Sequence, residues 1–578
     1  MPDEKSQQRV DTAPRRADAW VYLAIVFCTV ANAVFGGYQP NADVVAYLDI
    51  SDAILGHQWH SVINGYWSPG YPALLALARI PLGHSLRYEL MAARLLGALT
   101  NLLFIFSTVF LVKCVRTLQK SSGVSQAAPP ETLNVWAAIL AFCFSAKYLA
   151  MVNPDSLLSA LLLFTLGFMV RAIAKSELRS WAAAGAFAGL AYWTKSFAFS
   201  FFLVCVLIFA LMHYRKAYVW RGLAVSLVIF AAVASPWILG LSKQEGRFTL
   251  GSTGKLATAW YVNGADRFNP VDDSRLFSPG RATARFRHPG ELISADPEVV
   301  YFDGRISGTT PQWDNPAFWE DGLAPRFVLG QVIGTIARQF VALLRVCGGS
   351  LAAFILAAVL PAFGFRPRKG WLRDPTFVSL LVVALSAIAI YMLVLVEGRY
   401  ISFALVIAGV VYAASCTSNN SDARQRVYLN TAVILAGLLI VAARFDDIMT
   451  ERRLMVQSGG NPLRGIYDLS VISSATDLAK LYSPGSEVAC MGDQSCWADP
   501  YWARYARLRM STIIESGNGW KQEDAYAGCN KLERGPGSLD ALRARGIRAI
   551  VAKFDDGPPC STMWKHIGSR GGYYYLPL

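Results

Sequence analysis

Residues 153–179 read "NPDSLLSALLLFTLGFMVRAIAKSELR", and the reading of this stretch decides the fold. Its centre, 156–173, is a run of apolar residues with no charge before Arg171. About twenty such residues cross a bilayer as a helix. An acid, Asp155, stands at one end, and Arg171, Lys175 and Arg179 stand at the other. Lysine and arginine concentrate in loops on the cytoplasmic side, so the stretch reads as a span with its acidic end facing out.

The same pattern extends in both directions. Further apolar stretches occupy 20–36, 90–112, 133–150, 181–194, 196–212, 219–240, 346–364, 376–396, 400–416 and 427–443, which makes about eleven spans. The 181–194 segment is short, so the 181–212 pair is expected to be broken or tilted. Every second loop is basic: "KCVRTLQK" (113–120), "RAIAKSELR" (171–179), "HYRKAYVWR" (213–221), "RPRKGWLR" (366–373) and "ARQR" (423–426). With Lys5, Arg9, Arg15 and Arg16 in the tail, this alternation puts the N-terminus in the cytoplasm and the C-terminus outside. No small-residue cleavage site follows the first apolar run, which therefore reads as a retained anchor. The chain of 578 residues is 54% apolar and only 16% charged, against roughly 25% charged in soluble globules. Its net charge of +14 is scattered between spans, so no nucleic-acid partner is expected.

The expected fold is mainly α, a polytopic helical bundle with interfacial helices in its outer loops and a small α/β C-terminal domain outside. The boundaries read as a cytoplasmic tail at 1–19, a transmembrane domain at 20–443 with outer loops 37–89 and 241–345, and the C-terminal domain at 444–578. In that last part, "SLDALRARGIRAIVAKF" (538–554) reads as an amphipathic helix, a glycine stop and a buried strand. Cys490, Cys496, Cys529 and Cys560 lie there. An even set of cysteines outside an oxidising membrane suits two disulfides, in any of three pairings; a zinc site is the rival, disfavoured by the uneven spacing. "YWARYARLRM" (501–510) supplies a basic aromatic face.

Charged groups collect at the outer ends of the spans. "NADVVAYLDISD" (41–52) carries Asp43, Asp49 and Asp52; Asp155 follows Asn-Pro; Lys195 splits two short apolar segments; Glu397 and Arg399 sit in a tight hairpin. Ionisable groups in such apolar surroundings are costly and mark function by default. A carboxylate accepts a proton from an attacking hydroxyl, and a lysine with an arginine holds a phosphate. Together they describe transfer of a group from a lipid-linked phosphate to a hydroxyl. No G-x-x-x-x-G-K-[ST] loop and no D-x-D pair is present.

In "DVVAY" (43–47), "GYWSPGYPALLA" (65–76), "NPDSLLSAL" (153–161), "GLAYWTK" (189–195), "TTPQWDNPAFWEDG" (309–322) and "EGRY" (397–400), the chain resembles the GT-C class of integral-membrane glycosyltransferases. That group includes the protein O-mannosyltransferases and the aminoarabinose lipid A transferase. The resemblance implies a polyprenyl-phosphate sugar donor, a lipid, polysaccharide or protein acceptor, and inverting transfer outside the cytoplasm. Asp43, four residues before Tyr47, holds the place of the general base, and Asp155 joins the catalytic set by positioning the acceptor or a partner cation. Lys195 and Arg399, with Arg94 in reserve, are expected to bind the donor phosphate, and Tyr47, Trp67, Tyr400 and His288 the substrate. Asp49 and Asp52 are expected to be ordinary helix surface. Aminoarabinose-transferase relatives usually carry a second acid after the aspartate; Val44 stands there instead. No cofactor is assigned, and a divalent metal is left open. Two alternatives stand beside this reading. One is a glycan ligase using a polyprenyl-diphosphate donor, with Arg275, Arg281, Arg285 and Arg287 for the extra phosphate. The other is a non-enzymatic lipid or sugar transporter.

Overall fold

The structure, a computed structural model, describes residues 4–36, 41–83, 85–121, 129–149, 151–265, 285–303, 308–418, 423–457, 469–515, 523–554, 559–569 and 571–578. Helices α1 (Glu4–Phe35), α2 (Ala42–Leu55), α3 (Gly70–Arg79) and α4 (Leu86–Ser121) open the chain. The side chains of α1 are described from Ala17 onward, so Lys5, Arg9, Arg15 and Arg16 lie outside the described set. Then come α5 (Pro130–Ser145), α6 (Asp155–Lys175), α7 (Leu178–Thr194), α8 (Phe197–Met212) and α9 (Ala217–Glu245). After a long connection follow α10 (Leu329–Gly348), α11 (Leu351–Ala362), α12 (Pro375–Met392), α13 (Gly398–Ser415) and α14 (Ala423–Gln457).

Among the described residues, eight helices are long and apolar enough to cross a membrane: α1 from Ala17, α4, α6, α9, α10, α12, α13 and α14. The chain is a multi-pass membrane protein. The segments expected at 133–150, 181–194, 196–212 and 346–364 form the shorter helices α5, α7, α8 and α11. The break foreseen inside 181–212 falls at Lys195, whose backbone is extended (φ −161°, ψ 133°). One long helix, α10, was not anticipated. Gln331, Arg338, Gln339 and Arg345 interrupt its apolar run, while Phe340, Val341 and Leu344 stay exposed on its surface. Such an amphipathic pattern hides a span from a hydropathy reading.

Helix α6 lies against α4 and α7, and α7 lies against α9. Small residues allow this approach. A Cβ at Gly185 would collide with the backbone oxygen of Ser226, and one at Gly222 would collide with the Trp181 ring. Within lipid there is little hydrophobic drive between helices, so close backbone packing supplies the attraction.

Among the described residues, the C-terminal part and residues 291–301 of the loop expected at 241–345 together form a seven-stranded sheet. Its strands are β1 (Glu291–Ala295), β2 (Glu298–Tyr301), β3 (Glu487–Met491), β4 (Arg509–Glu515), β5 (Ala549–Lys553), β6 (Lys565–His566) and β7 (Tyr573–Pro577), in the order β1-β2-β4-β3-β5-β7-β6. The central trio β4-β3-β5 is parallel and the flanking pairs are antiparallel. The helix–glycine–strand reading of 538–554 is met by helix Pro536–Ala544, Gly546 at φ +80° and β5. Alternate residues separate the two faces, as a strand requires. Ala489, Met491, Ile550 and Ala552 face a core of the sheet's own, whereas Val488, Cys490 and Val551 join the core continuous with the bundle. The sheet therefore shares one of its faces with the membrane helices.

The four cysteines of this part pair as Cys490–Cys496 and Cys529–Cys560. The remaining six are free. A non-reducing peptide map is expected to recover both pairs and neither crossed combination. Replacing Cys529 and Cys560 by serine is expected to cost about 2–4 kcal/mol of unfolding free energy. A crossed pairing in the map, or unchanged denaturation of the double variant, counts against this arrangement.

Candidate active site

The site begins where helices end. Asp155 is the first residue of α6, and its N–H donates to the Asn153 side chain at 3.0 Å. A carboxylate here is favoured by the helix dipole. Its side chain is only 4% exposed, and Oδ1 accepts from Lys195 Nζ at 2.7 Å. Lys195 occupies the break between α7 and α8, so its ammonium can turn back toward the start of α6. From the start of α13, Arg399 Nε lies 3.6 Å from Asp155 Oδ2 and donates to Glu397 at 2.6 Å. Tyr400 stands between the cations. Lys195 Nζ sits 3.9 Å above its ring, and Arg399 Nη2 donates to its hydroxyl oxygen at 3.0 Å. The expected substrate contact Tyr400 is thus a platform for Lys195, a cation–π arrangement.

Asp43 lies in the first turn of α2, whose N-terminus is capped by the Asn41 side chain accepting from Val44 N–H. Trp313 Nε1 donates to Asp43 Oδ1 at 2.9 Å, and among the described residues no donor engages Oδ2. The charge of Asp43 reaches Arg399, more weakly than the charges of Asp155 and Glu397 do. Tyr47, one turn on, packs edge-on against Trp67 (4.9 Å) and Tyr71 (5.4 Å). Burial, followed by the charges of Asp43 and Asp155, pushes its phenol well above the ordinary range, so it stays a neutral donor. Trp67 donates to the backbone oxygen of Trp313 at 2.8 Å, and Asn64 donates to that of Asp314 at 2.8 Å. These bonds seat the 309–319 loop over Asp43.

Asp49 is not ordinary surface, which corrects the expectation for it; Asp52 is exposed as expected, yet tied into the same ion network. Asp49 is 10% exposed and Asp52 45%, and both accept from Arg504, which is 4% exposed. Arg504 also grips Glu89 at 2.8 Å, and Arg79 bridges Asp52 (2.7 Å) and Glu89 (3.0 Å). The other oxygen of Asp49 accepts from Thr309 N–H at 2.8 Å and from its hydroxyl at 2.7 Å. Arg504 belongs to the "YWARYARLRM" segment, read above as a basic face; here the first of its three arginines turns inward. No local pattern reveals this, because the partners lie 455 and 452 residues apart in sequence.

Arg94 does not join the cation cluster by any contact among the described residues. Its Nη2 donates to the backbone oxygens of Asn32 and Gly36 at 2.7 and 2.8 Å, closing the end of α1. His288 stacks flat on Phe318, with ring centres 4.0 Å apart and planes at 4°. Both line a cavity of about 230 Å³ with His60, Gln244, Glu245 and Asp321. Arg287 pairs with Asp321 at 3.4 Å; Arg275 and Arg281 lie outside the described residues. Among the described residues, the one cluster of metal-ligand type is Cys529, Glu533 and Cys560, and its two sulfurs are joined in a disulfide.

Residues 89–239, which carry Asp155 and Lys195, match the family described as dolichyl-phosphate-mannose-protein mannosyltransferase. No curated protein sequence matches the chain. Among solved structures, ArnT from Cupriavidus metallidurans bound to undecaprenyl phosphate is similar over 96% of this chain and 98% of that one, with TM-score 0.55 at 13% identity. The same protein in its apo state gives 0.56 at 12% identity, over 97% and 98%. This chain has a GT-C fold. The GT-C likeness runs through the membrane helices and the sheet alike, as its coverage of both chains requires.

One buried acid on the GT-C scaffold has a measurable consequence. Burial, and then the charge of Asp49, pushes the Asp314 carboxyl well above its ordinary range. The folded chain keeps a proton that the unfolded chain releases near the usual carboxylate pKa. Stability from this group is therefore present at low pH and lost as pH rises through and above that range. Asp314→Asn is expected to raise the melting temperature in detergent, with a gain several-fold larger at pH 8 than at pH 5. Parallel melting profiles for the two proteins across that range are the contrary result.

Proposed function

We propose that this chain transfers a sugar from a polyprenyl-phosphate donor to a hydroxyl acceptor on the extracytoplasmic side, with inversion and with Asp43 as general base. The observation that carries the reading is the juxtaposition of a half-engaged carboxylate and a cation pair at the ends of membrane helices. Asp43 has one oxygen held by Trp313, and its charge reaches Arg399. The likeness to ArnT bound to undecaprenyl phosphate supports a polyprenyl phosphate as the carrier. The alternation of basic loops supports a site on the outer face.

The acceptor oxygen bonds to the anomeric carbon while the carbon–oxygen bond to phosphate breaks on the opposite side. The bonding pair departs with the phosphate, and the acceptor proton passes to Asp43 Oδ2. Phosphate is already a good leaving group, so the protein mainly orients the hydroxyl, takes its proton and holds the charge that develops. Arg399 presents Nη1, which no described residue engages, and Lys195 lies beside it. Asp155 keeps the two cations together, the positioning role expected for it. Arg94, whose Nη2 holds the end of α1, is left out of the phosphate site. The His288–Phe318 stack offers a flat apolar face beside the polar edges of Gln244, Glu245 and Asp321, which suits a sugar ring of the acceptor.

In proteoliposomes supplied with undecaprenyl-phosphate-linked sugar, Asp43→Asn is expected to lower kcat by about 10²–10⁴-fold while donor binding persists. Intact transfer by a correctly inserted Asp43→Asn protein would falsify the assignment. Arg399→Lys keeps the charge and loses the guanidinium fork, so the donor KM is expected to rise about tenfold or more. Turnover only with diphosphate-linked oligosaccharide points to the ligase alternative, and uptake with no chemical product points to a transporter.

A further inference from the structure

Helix α2 carries the proposed base, yet packing alone does not orient it. Val44, Val45, Ala46, Tyr47, Leu48 and Ile50 are all buried, so apolar side chains cover α2 on every side. Buried apolar area alone therefore marks no single face of α2 as the inner one. Directional contacts must then choose the rotation. Asp49 and Asp52, one turn apart, supply them by gripping Arg504.

We propose that Arg504, from the part of the chain that forms the sheet, is a positioning residue for the transfer step. It clamps α2 so that Asp43 faces the Lys195–Arg399 pair. The proposal rests on the glycosyl-transfer reading of Asp43. Arg504 does not touch the reacting atoms, because Asp43 lies six residues before Asp49, about 9 Å along the helix axis.

The clamp uses all three guanidinium nitrogens. Nε donates to Glu89 at 2.9 Å, Nη2 to Asp52 at 2.6 Å and to Glu89 at 2.8 Å, and Nη1 to Asp49. Glu89 stands on α4, so α2 is referred to a membrane-spanning helix. Tyr501, three residues before Arg504, donates to Glu89 as well, at 2.9 Å. A relay extends the effect. Asp49 holds Thr309, and four residues later Trp313 holds Asp43. Helix and loop are thereby bolted together at both ends of one stretch of α2. Buried ion networks contribute little net stability over apolar packing, and their best-attested use is to set register. That is the role left for this one on a helix without an amphipathic face.

The test uses the full chain in proteoliposomes. Arg504→Lys keeps a charge but offers one point where the fork offers three. Its kcat is expected to fall about 10- to 100-fold, the scale of a misplacement near 1 Å, with donor KM within about twofold. Combined with Trp313→Phe, the loss is expected to be less than the product of the single losses, since both act on Asp43. Deuterium uptake across 42–55 and 308–319 is expected to rise in Arg504→Lys. Leu542→Ala, in the sheet's own core, serves as a variant matched in melting temperature and is expected to keep its kcat.

Equal loss of kcat in Leu542→Ala and Arg504→Lys, or multiplicative losses with Trp313→Phe, overturns the clamp. If the unaltered chain transfers sugar and Arg504→Lys does so at the same kcat, the clamp falls and the function stands. If the unaltered chain transfers nothing while uptake still rises, the function falls and the clamp stands as a structural device.

Discussion

The ion pair between Asp155 and Lys195 is the contact on which the rest of the arrangement depends. Each group sits at a helix end inside an apolar bundle, where an unpaired charge costs several kcal/mol. Pairing at 2.7 Å is therefore a demand on the backbone. It forces the start of α6 and the break between α7 and α8 to the same level. Arg399, 3.6 Å from the second oxygen of Asp155, draws the start of α13 to that level too. Three helix ends become one surface, and Tyr400 fills the space between the cations.

Over this surface lies a second layer that is aromatic and hydrogen-bonded. Tyr47, Tyr66, Trp67, Trp260 and Trp313 meet edge to face and tilted, with ring centres 4.6–5.9 Å apart. Ring packing fills volume but tolerates sliding, so the layer is also stitched by indole donors. Trp67 bonds to the Trp313 backbone, Trp260 to Glu320 and Trp313 to Asp43. The loop gains no regular structure beyond two short turns of helix, and these side-chain bonds locate it. The Asp43 carboxylate and the Lys195–Arg399 cations are thus held by different elements, each anchored separately.

Much of this was legible in the sequence because the relevant physics is local. A bilayer reads hydropathy over about twenty residues and charge at the flanks. The spans, the break at Lys195 and the crowding of ionisable groups at span ends all register in that one-dimensional signal. The same holds for the helix, glycine and strand of 538–554. Helix α10 escaped it, since Arg338, Gln339 and Arg345 dilute its hydropathy while leaving its exposed apolar face intact. The β1–β2 hairpin escaped it as well. Four-residue β2 finds its place only by pairing with β4, more than two hundred residues later in the chain.

The sequence by itself determined that the chain crosses a membrane many times, and that Asp43, Asp155, Lys195 and Arg399 stand where spans meet the polar boundary. Transfer free energies act on each segment alone, so no partner is needed to predict them. Only the tertiary structure decided how the three acids of α2 divide their work. The sequence set Asp43 apart by its place four residues before Tyr47 and left Asp49 and Asp52 as helix surface, with no sign of a partner for either. Arg504 consumes both, while Asp43 keeps an oxygen free. Which carboxylate is neutralised depends on what lies within 3 Å in space, and a distance between residues hundreds of positions apart exists only once the chain has folded.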